Sequence, residues 1–189
     1  MDALKLLTAD HNRVRGLFKK FQDAHEEKDQ ASMVEAATKI VTELEVHAEI
    51  EEQIFYPAIR EASEELAETV AEGVEEHHVA KTLISEIKGL TPDDEAWEAK
   101  CLVLIESVEH HATEEEEEMF PEVRKALDTA AREQLGEQLE ALKAQLGAPT
   151  IADKEQFTTE ELKELAKEQE VPGRSSMSRE ELLATVAPE

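Results

Sequence analysis

The residues best suited to chemistry form a motif that occurs twice in this chain of 189 residues. In each copy a glutamate stands four positions after a histidine, and a proline stands six positions after that glutamate. The two copies are His47, Glu51 and Pro57, and His111, Glu115 and Pro121. Residues four apart on a helix are offset by about 40°, so each histidine shares a helix face with its glutamate. Imidazole and carboxylate groups together on one face are suitable ligands for iron and related metals.

Each motif is preceded by a second matching histidine. His11 follows Asp10 and His77 follows Glu76, and in both copies a leucine stands six positions after the histidine. We interpret the chain as a duplicated helical hairpin. Two such hairpins form an up-down-up-down four-helix bundle.

The helix faces that carry these motifs are otherwise apolar, so the polar groups are directed at a protein core. A lone buried carboxylate there is costly unless a partner satisfies it. A pair of metal ions meets that need, and helix bundles hold dimetal centres through inward Glu and His residues. The predicted metal ligands are His11, His47, Glu51, His77, His111 and Glu115.

The number of ligands fits two iron ions. If each hairpin's histidines bind one iron and both glutamates bridge, each iron has four protein ligands, and an oxo or hydroxo bridge makes five. An octahedral iron then keeps one position open for a small molecule. Two alternatives stand beside this interpretation. A single His–Glu pair is usually a surface pair, and the six residues could satisfy one another in a metal-free helical scaffold.

Other polar residues near the motifs receive different interpretations. Glu52 and Glu116 point about 100° away from the proposed ligands and are expected to face solvent. His78 and His110 are interpreted as surface or supporting residues. Tyr56, the only tyrosine, is expected to pack or hydrogen-bond near the following proline rather than to bind metal.

The composition favours helices throughout the chain. Apolar residues make up 40%, aromatic residues only 4%, and glycine and proline number six each, which is typical of helical proteins. Apolar spacing predicts helices over residues 3–27, 30–62, 64–88, 92–127 and 129–146. Pro57 and Pro121 lie late in the second and fourth of these helices and are expected to disturb them locally. The predicted fold is all-α: an up-down-up-down four-helix bundle with an extra C-terminal helix and a small helix–loop–helix tail.

The chain is predicted to divide into a bundle and a tail. Residues 1–147 form the bundle domain, residues 148–152 a linker, and residues 153–189 a small helical tail. Two capping boxes, at Thr158 with Glu161 and at Ser178 with Glu181, predict two short helices in the tail. No predicted ligand lies beyond residue 147, so removing the tail is expected to leave the metal site intact.

Charge and cysteine content exclude several classes of protein. The 46 acidic and 20 basic residues give a net charge of −26, which repels nucleic-acid phosphates and anionic membrane surfaces. No apolar run approaches the roughly 20 residues that span a bilayer. Cys101 is the only cysteine, so no disulfide can form within the chain, and a reducing compartment fits. The expected location is the cytoplasm.

Residues 1–146 resemble the haemerythrin-like, or HHE cation-binding, domain. The matching elements are the two His–Glu motifs, Asp10-His11, Glu76-His77, Tyr56-Pro57 and Phe120-Pro121. The resemblance implies a non-haem di-iron centre that binds or reacts with O₂, peroxide or nitric oxide, or that senses iron or oxygen.

The chain departs from the oxygen-carrying members of that family. Those carry an additional histidine four residues from the ligand histidine of the third helix, whereas Gly73 and Lys81 flank His77 here. They also use aspartate in the fourth helix, where this chain has Glu115. The chain is more similar to bacterial members linked to oxidative or nitrosative stress, including some with catalase-like activity. A non-enzymatic O₂ or iron sensor, carrier or iron-binding protein is the alternative.

The tail resembles the SAP-like N-terminal domain of transcription terminator Rho, over a stretch that includes Val171-Pro172-Gly173-Arg174. That fold often contacts nucleic acid. Residues 151–189 hold 10 acidic and 5 basic side chains, a net charge of −5, which argues against nucleic acid. A protein partner or the bundle itself is the expected contact.

Overall fold

The computed structural model describes residues 1–148 and 157–186. Within those ranges every regular element is helical, which confirms the all-α prediction. The residues form two compact units: Met1–Phe55 with the described residues from Thr129 onward, and Tyr56–Asp128. No helix in the described ranges combines the length and the apolar character needed to cross a membrane.

The α-helices, in chain order, are α1 Ala3–Glu27, α2 Gln30–Ile50, α3 Tyr56–Ala62, α4 Ala67–Gly89, α5 Glu95–Glu114, α6 Phe120–Ala126, α7 Thr129–Gln145, α8 Thr159–Glu168 and α9 Arg179–Thr185. Two π-helical segments are π1 Glu51–Phe55 and π2 Glu115–Met119. Short 3₁₀ turns lie at Glu64–Leu66 and Arg174–Ser176.

The first unit contains the first predicted hairpin, in which α1 packs against α2 and α7 packs against both. Lys28 ends α1 with a left-handed φ of 58°, and Asp29 begins α2 by accepting a hydrogen bond from the Ser32 N–H. The apolar stripe of α1, including Leu7, Phe18 and Phe21, is buried. The second unit contains the second hairpin, α4 against α5, together with α3 and α6.

Each His–Glu motif leads directly into a π-helical segment, π1 after α2 and π2 after α5. The sequence predicted continuous helices that are disturbed near Pro57 and Pro121, but the disturbance already begins at Glu51 and Glu115. A π turn holds one residue more than an α turn, which rotates the following residues by about 100°. Single π turns inside α-helices occur frequently at functional sites.

Helix α5 begins at Glu95, three residues later than predicted, and its N-cap is Asp94. The Asp94 carboxylate accepts hydrogen bonds from the N–H and the hydroxyl of Thr91 at 2.7 and 2.8 Å. These bonds hold Thr91–Asp94 as a turn before the helix. Both capping boxes predicted in the tail are present and begin α8 and α9.

The described part of the tail has a small apolar core of its own. Its buried members are Leu162, Ala166, Val171, Leu182, Leu183 and Val186. This segment belongs to the first unit, where α9 packs against α1. The predicted linker lies largely within residues 149–156, outside the described residues, so its boundaries stay a prediction.

The buried thiol of Cys101 on α5 is expected to be unreactive. Burial, together with the nearby Glu98 carboxylate, raises the pKa of this thiol to about 12. At pH 8 only about one such thiol in 10⁴ is ionised, against roughly a quarter of unperturbed thiols. We expect a disulfide reagent at pH 8 to label the native protein at least about 100-fold more slowly than the urea-unfolded protein. Equal labelling rates would contradict this burial.

Candidate metal centre

The first unit brings three of the predicted ligands together. His11 on α1 and His47 on α2 face each other, with their Nε2 atoms 3.1 Å apart. Oε1 of Glu51 lies 3.2 Å from Nε2 of His47, because Glu51 follows one turn later on the same helix. All three side chains are buried, and each offers a ligand atom within 4.8 Å of the other two.

The second unit repeats this geometry with the second copy of the motif. His77 on α4 and His111 on α5 have their Nε2 atoms 3.1 Å apart. Oε1 of Glu115 lies 4.0 Å from Nε2 of His111. These three side chains are also buried. The sequence duplication therefore corresponds to two copies of one His–His–Glu arrangement.

The acidic residue before the first histidine of each hairpin approaches the second histidine. His111 Nδ1 donates a hydrogen bond to Glu76 Oε2 at 2.7 Å, and His47 Nδ1 lies 3.7 Å from Asp10 Oδ2. A carboxylate beside Nδ1 favours a proton on that nitrogen and leaves the Nε2 lone pair available to a metal. The spacing of the His–Glu motifs did not predict this role for Asp10 and Glu76. The acidic residue directly before His11 and before His77 could have indicated it.

Asp10 belongs to a buried ion network in the first unit. Lys143 Nζ donates to both of its carboxylate oxygens at 2.6 and 2.8 Å, and Arg13 Nη2 donates to Oδ1 at 3.1 Å. Burial alone would raise the pKa of Asp10, but Lys143 and Arg13 outweigh burial and hold that pKa well below its usual value. Asp10 is therefore a fixed, ionised carboxylate close to His47.

Tyr56 joins the cluster of the second unit by a hydrogen bond. Its hydroxyl donates to Glu115 Oε1 at 2.9 Å, and its ring stacks on the imidazole of His77 with centroids 5.5 Å apart. This geometry agrees with the expected packing and hydrogen-bonding role. Gly73 leaves room for the hydroxyl, since a Cβ there would lie 2.9 Å from Tyr56 Oη. Phe120, the equivalent residue of the second copy, has no hydroxyl.

Alanine at Gly73 is expected to destabilise the native protein because it displaces the Tyr56 hydroxyl. Alanine favours a helix interior by about 1 kcal/mol, so a net loss in the free energy of unfolding must come from the clash. We expect a net loss of about 1–2 kcal/mol in the native background. The loss should shrink or reverse in a Tyr56→Phe background, as a double-mutant cycle measured by urea unfolding would reveal. Stabilisation by Gly73→Ala alone would contradict the contact.

The residues next to the motifs lie at or near the surface. His78 and His110 are exposed, in agreement with their surface interpretation, and His110 Nε2 lies 3.2 Å from Glu114 Oε1. Glu52 and Glu116, which were expected to face solvent, are half-buried.

A cavity of about 60 Å³ in the second unit reaches the predicted ligands His111 and Glu115. Gly73 and Glu76 contribute to its lining. A cavity of this kind needs only about 10–15 Å³ to hold one water molecule, so this one has room for a small ligand.

The donor set of each unit fits a transition metal. Two imidazoles and one carboxylate are ligands that iron accepts readily, and a bound cation offsets the cost of burying the carboxylate. Glu51 is completely buried and Glu115 is 2% exposed, so neither carboxylate is solvated from outside. The described residues therefore include buried His–Glu clusters that could bind a metal ion.

The chain is similar to proteins from cyanobacteria and mycobacteria. It is 27% identical over 146 residues to a DNA nickase of Nostoc sp., covering 77% of this chain and 40% of that protein. It is 28% identical over 151 residues to the uncharacterized protein Rv2633c of Mycobacterium tuberculosis, covering 79% of this chain and 90% of that protein. The chain thus spans less than half of the Nostoc relative.

A crystal structure has a similar fold. It is that of a haemerythrin HHE cation-binding domain-containing protein of Mycobacterium kansasii, a homologue of Rv2633c. The TM-score is 0.63 at 21% identity, over 98% of this chain and 99% of that chain, which establishes the likeness of fold alone. A family model described as "Hemerythrin HHE cation binding domain" matches residues 2–123. Because that match spans the helices carrying all six predicted ligands, the chain belongs to the haemerythrin HHE cation-binding domain family.

Proposed function

We propose that the two His–His–Glu clusters make up one dinuclear iron centre, with His11, His47, Glu51, His77, His111 and Glu115 as ligands. The observation that carries the proposal is the repeated geometry. In both units two imidazole Nε2 atoms lie 3.1 Å apart beside a buried glutamate. A metal-free scaffold would have no need to build the same donor set twice.

Protein groups are placed to orient two of the proposed ligand histidines and one of the glutamates. Asp10 and Glu76 are placed to hold the protons on the Nδ1 atoms of the ligand histidines, while the Tyr56 hydroxyl holds one oxygen of Glu115. Two iron ions would supply an open coordination position and redox chemistry for a small ligand. The cavity beside His111 supports O₂, peroxide or nitric oxide as that ligand, since each has two to four atoms and carries no net charge.

We further propose that the protein acts in defence against oxidative or nitrosative stress, with catalase-like turnover of peroxide. The reason is the number of protein ligands. Lys81 and Gly73 stand where oxygen carriers supply an additional histidine, so each iron would have four protein ligands and neither would be saturated. A peroxide could then reach both metals.

Metal analysis and a visible spectrum of the aerobic protein test the dinuclear centre. We expect two irons per chain and oxo-to-iron absorption bands. Oxygen evolution from hydrogen peroxide, compared with aqueous iron and with a His111→Ala variant, tests the reaction. If the di-iron protein evolves no more oxygen than aqueous iron, the catalase-like reaction fails. A stable O₂ adduct of the diferrous protein that dissociates on degassing would instead support a sensor or carrier.

The remaining assignments concern location and partners. We propose a cytoplasmic location, in accord with a single buried cysteine. For the tail we propose a Rho-like helix–loop–helix whose contacts are with protein, because its net charge of −5 disfavours nucleic acid. We do not propose nickase activity for this chain, because the match spans only 40% of the Nostoc protein.

A further inference from the structure

The C-terminal segment, residues 157–186, docks on one stripe of α1. Arg13 Nη1 donates a hydrogen bond to the carbonyl oxygen of Ala184 at 3.1 Å. One turn later, Gly16 lies so close to the carbonyl of Gln169 that a Cβ at residue 16 would overlap it. These contacts join helix α1 to α9 and to the C-terminal end of α8.

The same arginine also reaches the metal cluster of the first unit. Arg13 Nη2 donates to Asp10 Oδ1 at 3.1 Å, and Asp10 Oδ2 lies 3.7 Å from His47 Nδ1. Lys143 and Glu43 complete the ion network around these two residues. Arg13 and Asp10 are each 6% exposed, so the connection runs through the protein interior.

We propose that the C-terminal segment is a positioning element for the ligand His47, acting through Arg13 and Asp10. Docking of the segment and binding of metal then strengthen each other. This inference rests on the proposed metal function. It reverses the expectation that the tail is dispensable for the site.

The coupling follows from what each contact fixes. The carbonyl of Ala184 accepts a hydrogen bond from one nitrogen of the guanidinium, and another nitrogen holds the Asp10 carboxylate, which lies 3.7 Å from His47 Nδ1. A metal on Nε2 of His47 would make Nδ1–H a stronger donor and draw it toward Asp10, which would order the same chain of contacts in the opposite direction. Thermodynamic linkage requires the two effects on binding to be equal.

The second unit provides an internal comparison. Its corresponding carboxylate, Glu76, bonds directly to His111 and lines a cavity, and no contact described for Glu76 is to the C-terminal segment. The influence of the segment should therefore be specific to the cluster of the first unit.

Hydrogen exchange on the full-length protein tests the coupling, with Co²⁺ as the metal probe. We expect saturating Co²⁺ to slow exchange of the α9 amides about fivefold or more. If the protein binds Co²⁺ and exchange in α9 does not change, the inference is overturned while the metal function stands. A chain that binds neither Co²⁺ nor iron overturns the metal function itself, and with it this inference.

The variant Gly16→Ala separates docking from the metal ligands. Alanine favours the α1 helix itself, but its Cβ must displace the backbone of Gln169. We expect faster exchange in α9, Co²⁺ affinity about fivefold weaker, and altered Co²⁺ ligand-field bands. Gly89→Ala, a helical glycine whose added Cβ would meet nothing within 4 Å, is the matched control and should change none of these. Faster α9 exchange in Gly16→Ala, with unaltered Co²⁺ affinity and ligand-field bands, would overturn the inference.

Substitution of Arg13 provides a second route that does not depend on the glycine. Arg13→Met removes the hydrogen bonds from residue 13 to Ala184 and Asp10. It should therefore abolish the effect of Co²⁺ on α9 exchange. Arg13→Lys keeps the charge but donates from a single nitrogen, so it should restore part of the effect. Persistence of the full Co²⁺ effect in a folded Arg13→Met protein would overturn the proposed route.

Discussion

Replacing His47 or His111 by alanine is expected to remove at least one of the two proposed irons from the protein. Each histidine is the first residue of a His–Glu motif and directs Nε2 at the Nε2 of a second buried histidine. Changes to groups that merely orient a ligand histidine cost about 10–100-fold in metal affinity, so loss of the ligand itself should cost more. Iron per chain, measured after desalting, should fall from two to one or fewer.

Histidines next to the ligands provide the matched controls. His78 follows His77 and His110 precedes His111, and both side chains are exposed. Alanine at either control position should leave the iron content unchanged. Glu51→Gln should be at least as damaging as His47→Ala, because a bridging carboxylate would serve both metals. Two irons per chain in both the His47→Ala and the His111→Ala proteins would rule out the proposed ligand set.

The hairpins and their His–Glu clusters could be predicted because they depend on local periodicity. A helix repeats every 3.6 residues, so the four-residue spacing of His47 and Glu51 determines that they share a face. The apolar residues around them determine that this face is buried. The duplication then places His11 and His77 in equivalent positions on the preceding helices, and the structure pairs each with its partner at 3.1 Å.

The π segments could not be predicted from the same periodicity. Segments π1 and π2 differ in sequence, Glu-Glu-Gln-Ile-Phe against Glu-Glu-Glu-Glu-Met, and neither composition is distinctive for a π turn. Pro57 and Pro121 predicted a disturbance near each segment, since proline cannot donate a backbone hydrogen bond. The change from α-helix to π-helix begins at Glu51 and Glu115. Only the backbone hydrogen bonds of the folded protein reveal that position.

The ion network around Asp10 joins residues that are far apart in the sequence. Helical periodicity therefore could not predict it. Lys143 is 133 residues away from Asp10, and Ala184 is 171 residues away from Arg13. A lysine in a charged helix such as α7 is normally expected at the surface, yet Lys143 is 3% exposed. Tertiary packing, rather than any spacing rule, brings these residues together.

Removing the metal is expected to lower the melting temperature by about 10 °C. The six proposed ligands are all at least nine-tenths buried, and a bound cation would offset the cost of burying the carboxylates of Glu51 and Glu115. A ligand present at about 1,000 times its Kd contributes roughly 4 kcal/mol to stability. For a chain of this length each kcal/mol shifts the melting temperature by about 2–4 °C.

Calorimetry of the iron-loaded protein before and after chelation, followed by reloading, measures the shift directly. A His47→Ala protein serves as the control. Its weakened site should retain little metal, so chelation should move its melting temperature by much less. The apo protein should also melt over a wider range of temperature, because the two clusters then lose the ions that order them. Identical melting temperatures for the iron-loaded and the chelated wild-type protein would mean that the buried His–Glu clusters satisfy one another without metal. The metal-free scaffold would then be the correct interpretation of the duplicated motif.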